Sequence, residues 1–399
     1  MKLTVRIQLM FMMFLMFVTW GSWYGQMSKY MLNQLNATGD QVGNAYTAFS
    51  IATLIAPFFV GMIADRFFSA QKVMGIINLL GAVVLYFLIK ITDPAEFFWY
   101  ILAYTITFTP NLALSTSIAM NQMKEPGKEF PFIRVFGTIA WIVVTNIVGF
   151  LDIGGSVEIF QISMFSSLAL GIFAFFLPDT PPKTTEKPTF GQILGTDAFV
   201  LFKDRSFLIF FISSILICIP LSFYYALANP SLSASHMTNV ENKMSLGQVS
   251  EVLFMLLLPF AFAKFGVKKI LIIGLVAWIV RFICFGYGDG ISSEWILYIA
   301  IVLHGVCYDF FFVTGQIYTD NKAGEKIKSS AQGLITLATY GIGMGIGSKL
   351  SGIVLDHYKI SEGVFDYRAV WMVPAAIAAV VLVLFVLFFK DNQKDIKVA

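Results

Sequence analysis

Apolar windows of about 20 residues recur from one end of the chain to the other, each long enough to cross a bilayer. The last of them, "AAIAAVVLVLFVLFF" over residues 375–389, holds no charge. In hydrocarbon every backbone N–H and C=O must be satisfied within the segment or in a closed barrel, so windows of this length read as helices. Cutting them at polar, Pro- or Gly-bearing junctions predicts about twelve spans. Their rough limits are 7–31, 43–64, 71–91, 97–122, 131–153, 157–178, 206–232, 244–264, 268–287, 293–319, 328–354 and 369–389. Composition agrees: 57% of the residues are hydrophobic and 13% charged, where a soluble chain carries about 25% charge. Lys2 and Arg6 precede an apolar run to Trp23 that is long enough to span, with no small-residue cleavage site after it. The first window is therefore expected to be a membrane helix and not a cleaved leader.

The longest polar gap, "PDTPPKTTEKPTFGQILGTD" at 178–197, divides the chain. It predicts an N-terminal six-helix half at 1–178, a cytoplasmic linker at 179–205 with a short amphipathic piece near Phe199–Arg205, and a C-terminal six-helix half at 206–399. With both termini inside, roughly nineteen Lys and Arg fall on the inner side and about six on the outer side, as the positive-inside rule requires. Two short cationic hairpins echo each other, "GMIADRFFSAQK" after the second span and "AFAKFGVKK" after the eighth. Six plus six helices with matching inner loops outline an all-α membrane protein of the major facilitator fold. That fold places its substrate site near the midplane between two repeats.

Cys218, Cys284 and Cys307 lie in apolar segments without metal-ligand spacing, and no His/Glu metal motif or Ser/His pair is present. No metal, no cofactor and no enzymatic chemistry are expected. The run "TYGIGMGIGSKLSG" is not a phosphate loop, since no strand precedes it. Close helix packing explains it better.

Ionisable residues at bilayer depth are expensive and mark pathways, relays or buried pairs. Here they are Arg134, Glu251, Arg281, His304 and Asp309. Glu251 and Gln248 sit three apart, on one helix face near mid-depth. A carboxyl that exchanges its proton during alternating access is what proton coupling requires. The bland reading is a protonated acid bonded to a neighbouring helix. Asp309 is also near mid-depth, either as coupling acid or as partner of a buried Arg. His304, Tyr308 and Phe311 or Phe312 share one side of the tenth span. His304 either binds substrate, titrates, or bonds a backbone carbonyl. Arg134, Thr138, Trp141 and Thr145 form a stripe on the fifth span. Arg134 lies about 12 Å to the cytoplasmic side of its centre, where it either guards an inner gate as a charge partner of Glu251 or Asp309, or snorkels to the interface. Arg281, on a span expected to be peripheral, reads as structural. Trp20 and Trp23 share a face at i, i+3, offering rings to a planar ligand.

"WGSW", "GNAYTAFSIATLIAP", "FPFIRVFGTIA", "QVSEVLF", "WIVRFICFGYGD", "YDFF" and "SSAQGL" follow in this order along the chain. Together they resemble the nucleoside:H+ symporter family, bacterial nucleoside permeases of the major facilitator type. The resemblance implies a multi-pass inner-membrane importer, both termini cytoplasmic, driven by the proton gradient. Its partners would be a nucleoside or related small polar substrate, protons and lipid, with no nucleic acid, and the chain a monomer. It implies that Arg134, Thr138, Gln248, Glu251 and Asp309 serve substrate binding and coupling, with Trp141 and Tyr308 at aromatic positions. The pattern departs on span seven, where Ser222 and Tyr225 stand for two amides beside the shared Asn229. It departs again where His304 replaces a Tyr and Phe312 an Asn. Losing amides changes which hydroxyl and base patterns a site accepts. A proton symporter for a sugar, glycoside or other polar metabolite is therefore the alternative.

Overall fold

The computed structural model describes residues 1–66, 68–181 and 196–390. The side chains at 57–66, 126–128, 325, 326 and 329 lie outside that description. The core of the expected linker and the hairpin residues Gly61, Asp65 and Arg66 thus fall outside it. The chain divides into two compact units, Met1–Lys187 and Pro188–Ala399.

The first unit is built from α1 (Leu3–Gly21), α2 (Met27–Gln34), α3 (Gly39–Arg66), α4 (Ala70–Leu88), α5 (Pro94–Phe108), α6 (Pro110–Asn121), α7 (Pro126–Phe150) and α8 (Glu158–Ala174). Asp93 starts α5 by accepting from the Ala95 N–H at 2.9 Å, with Pro94 in the first turn where its missing N–H costs nothing. Pro110 separates α5 from α6 within one apolar stretch. The first expected span is not one continuous helix. Between Gly21 and Met27 it loosens, the Trp23 and Gln26 N–H groups reaching back only three residues to Trp20 and Trp23.

Neutral hydrogen bonds tie the rods of this unit together. Asn78 donates to Asn111 Oδ1 at 2.8 Å, Ser167 to the Asn78 carbonyl at 3.0 Å, and Ser163 to the Thr19 carbonyl at 2.8 Å. Tyr104 and Ser163 meet at 2.9 Å. Among lipid tails, which are as apolar as leucine, such contacts and close packing are what hold helices together.

The second unit opens with a 3₁₀ turn, Thr196–Lys203, where an amphipathic piece is expected. Its Ala198 is buried against Ala331 and Leu334, while Phe199 and Val200 are exposed. Then follow α9 (Arg205–Ala234), α10 (Val240–Met244), α11 (Leu246–Tyr287), α12 (Glu294–Tyr308), α13 (Thr314–Thr336), α14 (Met344–His357) and α15 (Tyr367–Phe388). A small antiparallel hairpin, β1 (Lys359–Ser361) and β2 (Val364–Phe365), precedes α15. Asp204 caps α9 by accepting from the Ser206 and Phe207 N–H groups at 2.8 and 3.3 Å. Two wide π turns, Asp309–Val313 and Leu337–Gly343, interrupt the helices on either side of α13.

By length and hydropathy, eight helical stretches among the described residues suffice to cross a membrane. One of them, Val240–Tyr287, has 48 residues; at 1.5 Å each that is ~72 Å, over twice the ~30 Å hydrocarbon core. It leaves the helical conformation at Gly266 (φ 69°, ψ 167°), inside the expected cationic hairpin. α13 breaks likewise at Gly324 (φ 63°). Splitting the long stretch at Gly266, counting the rod that follows Gly324, and adding α3 and α8 gives twelve rods among the described residues, in the order the apolar windows predict.

Candidate functional site

In the second unit, α11 and α12 approach each other closely at Gly305. A Cβ there would lie 2.5 Å from the Ser250 carbonyl carbon and 2.6 Å from the Glu251 nitrogen. The Gly305 N–H donates to Ser250 Oγ at 3.0 Å. This crossing sets Glu251 beside His304: Oε2 lies 3.9 Å from Nε2, with 21% of the Glu251 side chain exposed. On the other edge of the ring, Arg281 Nη1 is 2.9 Å from His304 Nδ1, and Arg281 Nε donates to the Ala300 carbonyl at 2.8 Å. The guanidinium also lies over the Tyr224 ring at 3.8 Å. Arg281 is fully buried and His304 almost so. Arg281, expected from sequence to make a structural pairing on a peripheral span, is paired here, and its partner is a residue of the candidate site.

A column of rings continues along this side. Tyr224 and His304 are 5.1 Å apart, His304 and Tyr308 5.6 Å, Tyr308 and Phe312 5.2 Å. The i, i+4 spacing on the tenth span produces this directly. Tyr308 and Tyr340 join hydroxyls at 2.8 Å, bridging α12 to the second π turn. Tyr225 and Gln248 are half-buried, Tyr225 with its ring 5.3 Å from Tyr224. Asp309 follows Tyr308 as the first residue of the first π turn, fully buried, and neither carboxyl oxygen has a hydrogen-bond partner. Gly274 of α11 lies against this turn, its missing Cβ 3.1 Å from the Phe311 nitrogen.

In the first unit the polar stripe of α7 lies along α1. Arg134 is exposed and stands over the Phe17 ring at 4.4 Å. Trp141 meets Trp20 edge-on at 5.2 Å, and Val144 lies over Gly21. Contacts therefore advance in the same direction along both helices, a parallel pair. Trp20 is half-buried and stacked on Phe49 at 5.3 Å, the rings 6° from parallel. Thr138 is half-buried on the same helix, and Thr145 is buried.

Two expected substrate residues serve packing in this structure. Trp23 is fully buried among Tyr24, Tyr104 and Phe160, because the loosened turn after Gly21 removes it from the helical face it was expected to share with Trp20. Ser222 is buried, and its hydroxyl lies 3.0 Å from both the Cys218 and Met344 carbonyls, a link between α9 and α14. Gly347 makes that approach possible, a Cβ there lying 2.6 Å from the Ile219 Cα. Asn229 donates to Glu241 Oε1 at 3.1 Å. Glu241, buried on short α10, escaped the sequence reading because it sits in a polar stretch that looks like an outer loop.

Twelve helical rods in two units, with buried acids, an arginine and aromatic columns at depth, define a membrane transporter of the major facilitator fold. Its relatives are specific. The sequence profile of the nucleoside H+ symporter family matches residues 1–394, and the chain belongs to that family. It is 40% identical over 410 residues to YegT of Escherichia coli strain K12, a provisionally named nucleoside transporter, covering 99% of this chain and 96% of YegT. To the xanthosine permease of the same strain it is 33% identical over 412 residues, covering 99% of this chain and 98% of the permease. The crystal structure of nucleoside transporter NupG superposes with a TM-score of 0.88 at 31% identity, covering 97% of this chain and all of that one. The protein is a transporter and not an enzyme.

Proposed function

We propose that this chain imports nucleosides together with protons by alternating access, with Glu251 and Asp309 as the coupling carboxyls. The observation that carries this reading is the tenth span: a column of rings and, next to Tyr308 in sequence, the fully buried Asp309 carboxyl with no hydrogen-bond partner. An acid so placed is costly for a merely structural role. Family membership supports the proton and the nucleoside. Trp20, Trp141 and Tyr308 supply ring faces for a base; Thr138, Gln248 and Tyr225 supply hydrogen bonds for hydroxyls and ring nitrogens. Arg134 acts at the inner end, favouring release. The protein works as a monomer in a bacterial inner membrane, both termini cytoplasmic, needing lipid but no cofactor; the excess of Lys and Arg on the inner loops supports that orientation.

The test is uptake of labelled nucleosides and sugars into proteoliposomes under an imposed pH gradient. Nucleoside accumulation that collapses with a protonophore is expected. Sugar uptake without nucleoside uptake would overturn the substrate, and accumulation indifferent to the protonophore would overturn the coupling.

A further inference from the structure

Arginine carries five N–H donors and no acceptor, and it does not lose its proton in proteins. The contact of 2.9 Å between Arg281 Nη1 and His304 Nδ1 therefore has one polarity: the guanidinium donates and Nδ1 accepts. An accepting Nδ1 bears no proton, so the neutral ring carries its proton on Nε2. That nitrogen is the one facing Glu251, at 3.9 Å. A second proton on the ring would have to sit on Nδ1, pointing at a buried cation. Beside the ring lie Tyr224 from α9 and, on its own helix, Tyr308, while Arg281 Nη1 also reaches the Cys307 sulfur at 3.7 Å. Arg281 is itself held by the Ala300 carbonyl and the Tyr224 face, so it cannot swing away cheaply.

We infer that Arg281 is a positioning residue that locks His304 as the Nε2–H tautomer, making His304 a fixed hydrogen-bond donor toward Glu251 and not a proton carrier. This rests on the proposed role of Glu251 in transport. It removes one of the readings the sequence left open, in which His304 titrates during the cycle. It also gives a physical task to the two buried side chains whose meaning was least clear from sequence. The same ring points Nε2 at Glu251, 3.9 Å away, while its face belongs to the aromatic column, so a shift of Arg281 would alter both.

The chain has three histidines, and the other two, His236 and His357, are exposed. In the full-length protein carrying His236→Asn and His357→Gln, ¹⁵N-histidine NMR then reports His304 alone; Asn suits the positive φ of 62° at position 236. An unprotonated Nδ1 and a protonated Nε2, unchanged across the pH range in which the protein stays folded, are expected. A protonated Nδ1, or an imidazolium, would overturn the inference whatever the substrate proves to be. Adding Arg281→Lys should preserve the tautomer and Arg281→Met should release it into a mixture. A folded Met variant with the tautomer intact would refute the role of Arg281. In the wild-type background, His304→Gln, which keeps one acceptor and one donor, should show about tenfold more proton-driven uptake than an equally folded His304→Leu. Equal uptake by these two would show that donation to Glu251 does not matter. Because the NMR readout needs no substrate, its failure is distinguishable from failure of the transport reading.

Discussion

Helices α4, α6 and α8 of the first half are joined by uncharged pairs, Asn78 with Asn111 and Ser167 with the Asn78 backbone. At comparable burial the second half places Arg281, His304 and Asp309, with Glu251 at their edge. Amides and hydroxyls stabilise helix contacts by about 0.6 kcal/mol each at little desolvation cost. Charges at depth cost several times more. Among the described side chains, the second half bears that cost and the first does not. In the transport cycle we propose, the difference divides the work: the first half offers rings, chiefly Trp20 on Phe49 with Trp141 edge-on, and the second holds the groups that would exchange a proton.

The largest expected effect comes from removing that exchange. Glu251→Gln and Asp309→Asn should each abolish accumulation, which for one proton per substrate reaches about tenfold per pH unit. Counterflow of labelled against unlabelled nucleoside should survive, since it needs binding and rocking but no net proton. If both variants still concentrate substrate, the contrast between the halves fails. Arg134→Gln supplies the control in the first half: it should slow transport yet leave the accumulation ratio intact.

Next come the two tryptophans, close in sequence but different in surroundings. Trp20→Ala removes a stacking face, and base–aromatic stacking is worth ~1–3 kcal/mol, so the nucleoside Kd should rise about 5- to 150-fold. Trp23→Ala empties a site inside Tyr104 and Phe160, so thermal stability should fall by the equivalent of ~3–5 kcal/mol with little change in Kd for the folded fraction. Calorimetric or scintillation-proximity binding beside a melting curve separates the two. The reverse pattern would place Trp23 at the ligand.

Why the sequence separates some of these roles and not others follows from distance along the chain. The twelve rods were legible because each is a local property, a run of apolar residues ended by Pro, Gly or charge. So were the α7 stripe and the column His304, Tyr308, Phe312, which need only a helical period. The Trp20–Trp23 pair misled because the period loosens after Gly21, where the Trp23 and Gln26 N–H groups reach back three residues. Arg281 and His304 lie 23 residues apart on different rods, and Ser222 meets a carbonyl 122 residues away. Periodicity carries no information about such meetings. The one local hint was the small residues: Gly247, Ser250 and Gly305 line the α11–α12 contact.

That contact gives a smaller and more local prediction. Gly305→Ala would drive a methyl to within 2.6 Å of the Ser250 and Glu251 backbone, which cannot yield as a side chain can. Overpacking of this kind costs ~1–3 kcal/mol, and here it forces α11 from α12, widening the Glu251–His304 gap. A melting temperature lowered together with a weakened accumulation ratio is expected. Lowered stability with coupling untouched would mean that the spacing of these two side chains is not critical.

The smallest effect distinguishes packing from recognition at Ser222. Its hydroxyl is shared between the Cys218 and Met344 carbonyls, and the residue is 1% exposed, so no donor is left to offer a ligand. Ser222→Ala should cost ~0.6 kcal/mol of stability and leave the nucleoside KM within about twofold, because a change of 0.4 kcal/mol in binding is a factor of two. Tyr225, three residues on and half-buried, provides the counterpart: Tyr225→Phe deletes one hydroxyl from the same helix. A larger rise in KM for Tyr225→Phe than for Ser222→Ala would assign recognition on this helix to the tyrosine. The opposite ranking would mean that Ser222 turns from its carbonyls to the substrate during the transport cycle.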